Sequence, residues 1–140
     1  PASLLYTLSG AHMEMPLQDQ VFFAQAEVIR ELAKKGPCVI VGRNADYILK
    51  DRSDVLHVYI HADKAFRADR IVRLYGESEK SPEARLNEKD KRRSINYQHY
   101  TGRSWGQAQN YDICLDTGVL GIDQCADIVC QIVENSKKGE

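Results

Sequence analysis

Pro37-Cys38-Val39-Ile40-Val41-Gly42-Arg43-Asn44-Ala45-Asp46-Tyr47-Ile48-Leu49 joins a short apolar run to a polar turn and then to a helical pattern. Val39, Ile40 and Val41 are continuous and β-branched, the pattern of a strand buried on both faces. Gly42 ends that strand and Arg43 follows at once. In an open parallel sheet, ligands bind beyond the carboxyl ends of the strands, so Arg43, Asn44 and Asp46 are the first residues expected to meet one. Ala45 to Leu49 then reads as a short helix.

Working outward, Val21, Phe22, Gln25, Val28, Ile29, Leu32 and Ala33 recur at helical spacing from Asp19 onward, and Gly36-Pro37 stops them. Residues 1–18 keep no period and read as an irregular lead-in. On the other side, Asp51 to Asp54 is a polar loop, and Val55 to His61 is a second strand with Leu56, Val58 and Ile60 on one face. Asp63 is placed to cap a helix from Lys64 to Tyr75, closed by Gly76. Arg67, Arg70 and Arg73 recur on it every three residues, which turns them slowly around one broad face. Ser81 and Pro82 open a further helix reaching about Tyr100. A third strand is expected over Tyr111 to Thr117, a loop over Gly118 to Gly121, and a closing amphipathic helix over Ile122 to Asn135. The remaining residues to Glu140 read as a polar tail.

A chain of 140 residues with 43% hydrophobic and 28% charged residues is of single-domain length and can bury one ordinary core. Its net charge of −1 speaks against a nucleic-acid binder held by bulk positive charge, and no apolar run is long enough for a membrane span. Without a basic-then-apolar leader pattern, the expected compartment is the cytoplasm. The four cysteines lie in predicted strands or on an amphipathic helix, and the four histidines are scattered. The expectation is buried, reduced thiols and no metal site. Charge is distributed unevenly: from Lys80 to Arg103 seven basic residues face three acidic ones, although the whole chain is slightly acidic. A basic helix able to fold over a polyanion suits a phosphoryl-transfer lid, because that chemistry is mostly positioning and charge neutralisation. A solvated helix of mixed charge has the same composition.

Several segments resemble the cytidylate kinase-like family in the family's order. They are Gly42-Arg43-Asn44-Ala45-Asp46-Tyr47, then Asp90-Lys91-Arg92-Arg93, then Tyr100-Thr101-Gly102 with Trp105-Gly106, and finally Tyr111-Asp112-Ile113-Cys114 through Leu120-Gly121-Ile122-Asp123. The resemblance implies a three-layer α/β P-loop kinase-like fold, with a parallel sheet and a helical lid over residues 78–106. It also implies ATP, Mg²⁺ and a nucleoside monophosphate of the CMP or dCMP type. Arg43 would hold the acceptor phosphate, with Asn44 or Asp46 near its base or sugar. Lys89, Arg92 and Arg93 would reach the transferring phosphoryl group, Arg70 and Arg73 would border ATP, and Asp116 and Thr117 would open the loop passing the adenine. Asn44 stands where such kinases carry Asp, and Lys89 where they carry Arg, so selectivity for cytosine does not follow from the resemblance.

Neither the first strand nor the glycine-rich phosphate loop of these kinases is found here. The expectation is therefore an incomplete single domain over residues 1–140, the C-terminal two-thirds of a longer polypeptide and inactive alone. The missing strand would leave a gap of about 10 Å, two strand spacings, between the first two strands. An N-terminal segment or a second chain would complete the sheet. Two other readings stand beside this one: a kinase-like scaffold without catalysis, and a nucleic-acid-binding module using the basic and aromatic residues of 89–105.

Overall fold

A computed structural model describes residues 15–136. Residues 1–14, most of the expected lead-in, and residues 137–140 of the expected tail lie outside the described residues. The chain divides after Ile48 into two compact units.

In the first unit, helix α1 spans Leu17–Lys35 and α2 spans Ala45–Ile48. Helix α1 begins two residues before Asp19, because the carbonyl of Pro16 accepts from the amides of Asp19 and Gln20 at 2.9 and 3.1 Å. Asp19 then sits in the first turn, where a carboxylate meets the positive end of the helix dipole. Ala26 and Ile29 are its buried positions, while Val28 and Leu32 of the predicted apolar stripe are exposed. The predicted strand Cys38 to Val41 is corrected. Among the described residues these belong to no sheet, and Val39 and Val41 are 92% and 85% exposed. A strand is held by hydrogen bonds from a neighbouring strand, and among the described residues this segment has none, so β-branched composition alone does not order it.

In the second unit, β1 (Val58–His61) pairs in parallel with β2 (Ile113–Asp116), in the register Val58–Ile113, Tyr59–Cys114, Ile60–Leu115 and His61–Asp116. Parallel neighbours need a long crossover. Here it carries α3 (Lys64–Tyr75) and α4 (Pro82–Thr101). Strand β1 is shorter than the predicted Val55 to His61. At His57 the regular ladder gives way to a side chain: the amide of His57 donates to the Asp112 carboxylate at 2.7 Å, and the amide of Asp112 donates to the His57 carbonyl at 2.8 Å.

Both helix starts follow the sequence signals. The Asp63 carboxylate accepts from the amide of Phe66 at 2.8 Å, and the Ser81 hydroxyl accepts from the amide of Ala84 at 3.2 Å. Helices α3 and α4 pack together through Ala68, Ile71 and Leu86, with Val72 partly buried beside them. Gly102 ends α4 in the left-handed conformation, φ 69°, while the Thr101 hydroxyl donates to the Tyr97 carbonyl and accepts from the amide of Arg103.

The predicted loop Gly118 to Gly121 is also corrected. Thr117–Leu120 forms a helical turn, α5, because the Asp116 carboxylate accepts from the amides of Gly118 and Val119 at 2.9 and 3.2 Å. Helix α6 (Ile122–Ser136) closes the unit. The cysteine expectation holds in part. All four are free thiols, but only Cys125 is buried; among the described residues Cys38 lies outside the sheet and Cys114 sits on an exposed position of its second strand.

Candidate phosphate-binding elements

The Gly42-Arg43-Asn44 turn has three consecutive residues in the left-handed region, with φ of 70°, 58° and 56°. Glycine enters that region freely and asparagine tolerates it, but an arginine there is held at a cost of about 1–2 kcal/mol. The turn is stitched by the amide of Ala45 donating to the Gly42 carbonyl at 3.1 Å. It runs into α2 through the amides of Tyr47 and Ile48 on the Asn44 carbonyl, both at 3.0 Å. Arg43 is exposed, and Asn44 and Asp46 are half-buried. The sequence showed a Gly-Arg turn but not its handedness, which three ordinary residue types do not announce.

In the second unit, Lys89, Arg92 and Arg93 lie on α4 at spacings of three and four, so they share one face. All three are exposed. The ammonium of Lys89 sits 5.4 Å from the centre of the Tyr75 ring, a cation–π distance. Arg92 pairs with Glu88 at 3.1 Å, and Glu88 also takes Lys80 at 2.6 Å. The Lys80 hydrogen bond, then its charge, holds the Glu88 carboxyl below the usual carboxylate range. Arg93 reaches Asp90 at 3.3 Å, and Asp90 also takes Arg67 of α3 at 2.5 Å.

The other expected site residues have local tasks. Arg73 pairs with Asp69 one turn back at 2.8 Å, and Arg70 is exposed on the same helix. Asp116 caps α5 and lies 3.7 Å from the imidazole of His61, and the Thr117 hydroxyl donates to the His61 carbonyl at 3.1 Å. All four of these residues stand at or just beyond strand ends or on the helix that follows β1.

Two residues were given no site role by the sequence reading. Tyr59 alternates with Val58 and Ile60, so it reads as facing away from the core. Instead it is half-buried, its ring 4.9 Å from that of Tyr111 and edge-on to Trp105 at 6.2 Å. Burial first, and the charge of Asp90 second, push its hydroxyl above the ordinary value of 10.0. A raised proton affinity in the folded state contributes stability that is complete below the unfolded value and fades as pH rises through the folded one. A Tyr59→Phe variant should therefore lose a late-ionising phenol in a spectrophotometric titration at alkaline pH. A titration curve unchanged above pH 10.0 would place the late phenol elsewhere. Asp90 was quoted in the sequence as the start of the Asp90-Lys91-Arg92-Arg93 segment but given no role there, since it reads as one acid among many bases.

Among the described residues these features define a mixed α/β protein with a two-stranded parallel sheet, a strained arginine turn and a basic helix. The chain belongs to the cytidylate kinase-like family, whose sequence model matches residues 1–119. Among solved structures it is similar to an uncharacterized protein from Eubacterium ventriosum ATCC 27560, at 30% identity and a TM-score of 0.78. That match covers 87% of this chain and 69% of the other. No curated protein matches. Among the described residues, no helix is long and apolar enough to cross a membrane.

Proposed function

We propose that these residues are the acceptor-binding and lid portion of a P-loop nucleoside monophosphate kinase that transfers the γ-phosphoryl group of ATP, with Mg²⁺, to a CMP- or dCMP-type acceptor. The observation that carries this reading is the strained, exposed Arg43. Backbone strain concentrates where a side chain must be presented in one direction, and a guanidinium fork matches phosphate oxygens bidentately. Asn44 and Asp46 follow on the same turn and supply polar groups for a sugar or base.

In the second unit, Lys89, Arg92 and Arg93 supply exposed cations for the transferring phosphoryl group. On the same helix, the Glu88 carboxylate holds Arg92 while no phosphate is present. Exposed ion pairs of that kind are worth about 0–1 kcal/mol, so a polyphosphate can displace them at little cost. Arg70 and Arg73 border ATP in this reading, and Asp116 and Thr117 lie along its adenine.

The test is ATP consumption dependent on added CMP, measured on the natural polypeptide that contains these residues. CMP-dependent turnover supports the proposal. Absence of turnover with every common nucleoside monophosphate, despite a folded protein, would leave a non-catalytic scaffold. Salt-sensitive binding of single-stranded RNA, with no response to mononucleotides, would point to the nucleic-acid module instead.

A further inference from the structure

We propose that Asp90 and Arg67 are positioning residues that aim Arg93 at the phosphate of a bound nucleotide, an assignment that rests on the phosphotransfer reading above. Asp90 holds guanidinium groups from two different helices. One carboxylate oxygen takes Arg67 of α3 at 2.5 Å, and the other takes Arg93 of α4 at 3.3 Å. The ion pairs of Lys80 and Arg92 differ in kind. Arg92 and Glu88 lie on one helix, and Lys80 reaches Glu88 from the segment just before it, all well exposed. Such contacts do not fix α4 against the body of the protein.

The Arg67–Asp90 pair does. Its side chains are only 28% and 23% exposed. Asp90 lies one helical turn beyond Leu86 and Arg67 lies next to Ala68, so the pair extends the apolar contact made by Ala68, Ile71 and Leu86. The Tyr59 hydroxyl on β1, raised first by burial, is raised further by the charge of Asp90. Arg93 is therefore tethered by one nitrogen to a group that is itself held from α3. Its remaining donors are left to meet a phosphate, and its side chain is 58% exposed for that purpose.

Charge and position make opposite predictions for Asp90→Asn. Removing a carboxylate beside Arg93 strengthens anion binding on charge alone, whereas losing the tether weakens it. Inorganic tripolyphosphate, titrated calorimetrically into the natural polypeptide, should bind Asp90→Asn several-fold more weakly than the wild type. In the kinase assay kcat should fall by about 10²-fold, the scale of a misplacement near 1 Å, with KM for the monophosphate changed less. Asp90→Glu should recover part of the loss. Arg67→Lys, which keeps the charge but not the fork, should reproduce part of it, and both keep the pair's charges if Asp90→Asn proves unstable. The double variant Arg67→Gln/Asp90→Asn should cost far less than the sum of its single changes. Tripolyphosphate binding by Asp90→Asn equal to or tighter than wild type would overturn the assignment, as would a wild type that binds no tripolyphosphate. A wild type without CMP-dependent turnover would defeat the kinase reading, while the tripolyphosphate comparison would still decide the role of Asp90.

Discussion

Arg43→Ala in the natural polypeptide should lower kcat/KM for the nucleoside monophosphate by about 10²-fold or more, the scale on which a preorganised donor to a charged oxygen is lost. The left-handed turn gives this prediction a second arm. At φ 58° Arg43 is held where side chains are disfavoured, and Gly42 and Asn44 on either side share the conformation. Arg43→Gly should therefore be as inactive as Arg43→Ala while raising stability by up to about 1 kcal/mol, the relief of strain less the extra freedom of an unfolded glycine. A urea midpoint and the kinase assay together read both arms. Stability and activity moving in opposite directions would identify the strain as serving the presentation of this guanidinium. Wild-type turnover in Arg43→Ala would remove Arg43 from the mechanism, and a midpoint that falls in Arg43→Gly would mean that the side chain, not the backbone, holds the turn.

The second large effect is expected at Gly106. A Cβ there would lie 2.8 Å from the Tyr59 hydroxyl and 3.2 Å from the ring carbon bearing it, and the backbone φ of 79° already disfavours any side chain. Tyr59 cannot yield without disturbing its packing on Trp105 and Tyr111. Gly106→Ala should cost about 2–4 kcal/mol, strain and overpacking combined. Gly102→Ala provides the comparison, because Gly102 has a similar φ of 69° with nothing within 4 Å of its missing Cβ. Strain alone should cost about 1–2 kcal/mol there. Denaturant unfolding followed by the fluorescence of Trp105, the only tryptophan, separates the two. Equal losses at both glycines would show that the Tyr59 contact carries no energy of its own.

The helices were legible because their signals are local. Asp63 before Lys64, Ser81-Pro82 before Glu83, and glycines at 36 and 76 are capping and stopping residues whose effect depends on the nearest turn of chain. The strands were less legible. Val39 and Val41 have the same composition as a buried strand, but pairing requires a partner from elsewhere, and the two-stranded sheet of the described residues does not include them. The short helix at Thr117–Leu120 was read as a strand end at Thr117 and a loop from Gly118, and its glycine and β-branched residues are poor helix formers. The Asp116 carboxylate overrides that preference by satisfying two otherwise unpaired amides.

The candidate site divides along the same line. By itself the sequence determined which residues bring charge: Arg43 behind a glycine, and Lys89, Arg92 and Arg93 together on one helical face, since helical spacing is a property of the chain alone. Only the tertiary structure decided which of those charges are held and by what. The left-handed run through Asn44 depends on backbone angles that no residue type dictates. The sharing of Asp90 between Arg67 and Arg93 depends on two helices being packed by Ala68, Ile71 and Leu86. Residues 23 apart in sequence meet there because burial of apolar surface joins their helices, and burial is a sum over the whole fold.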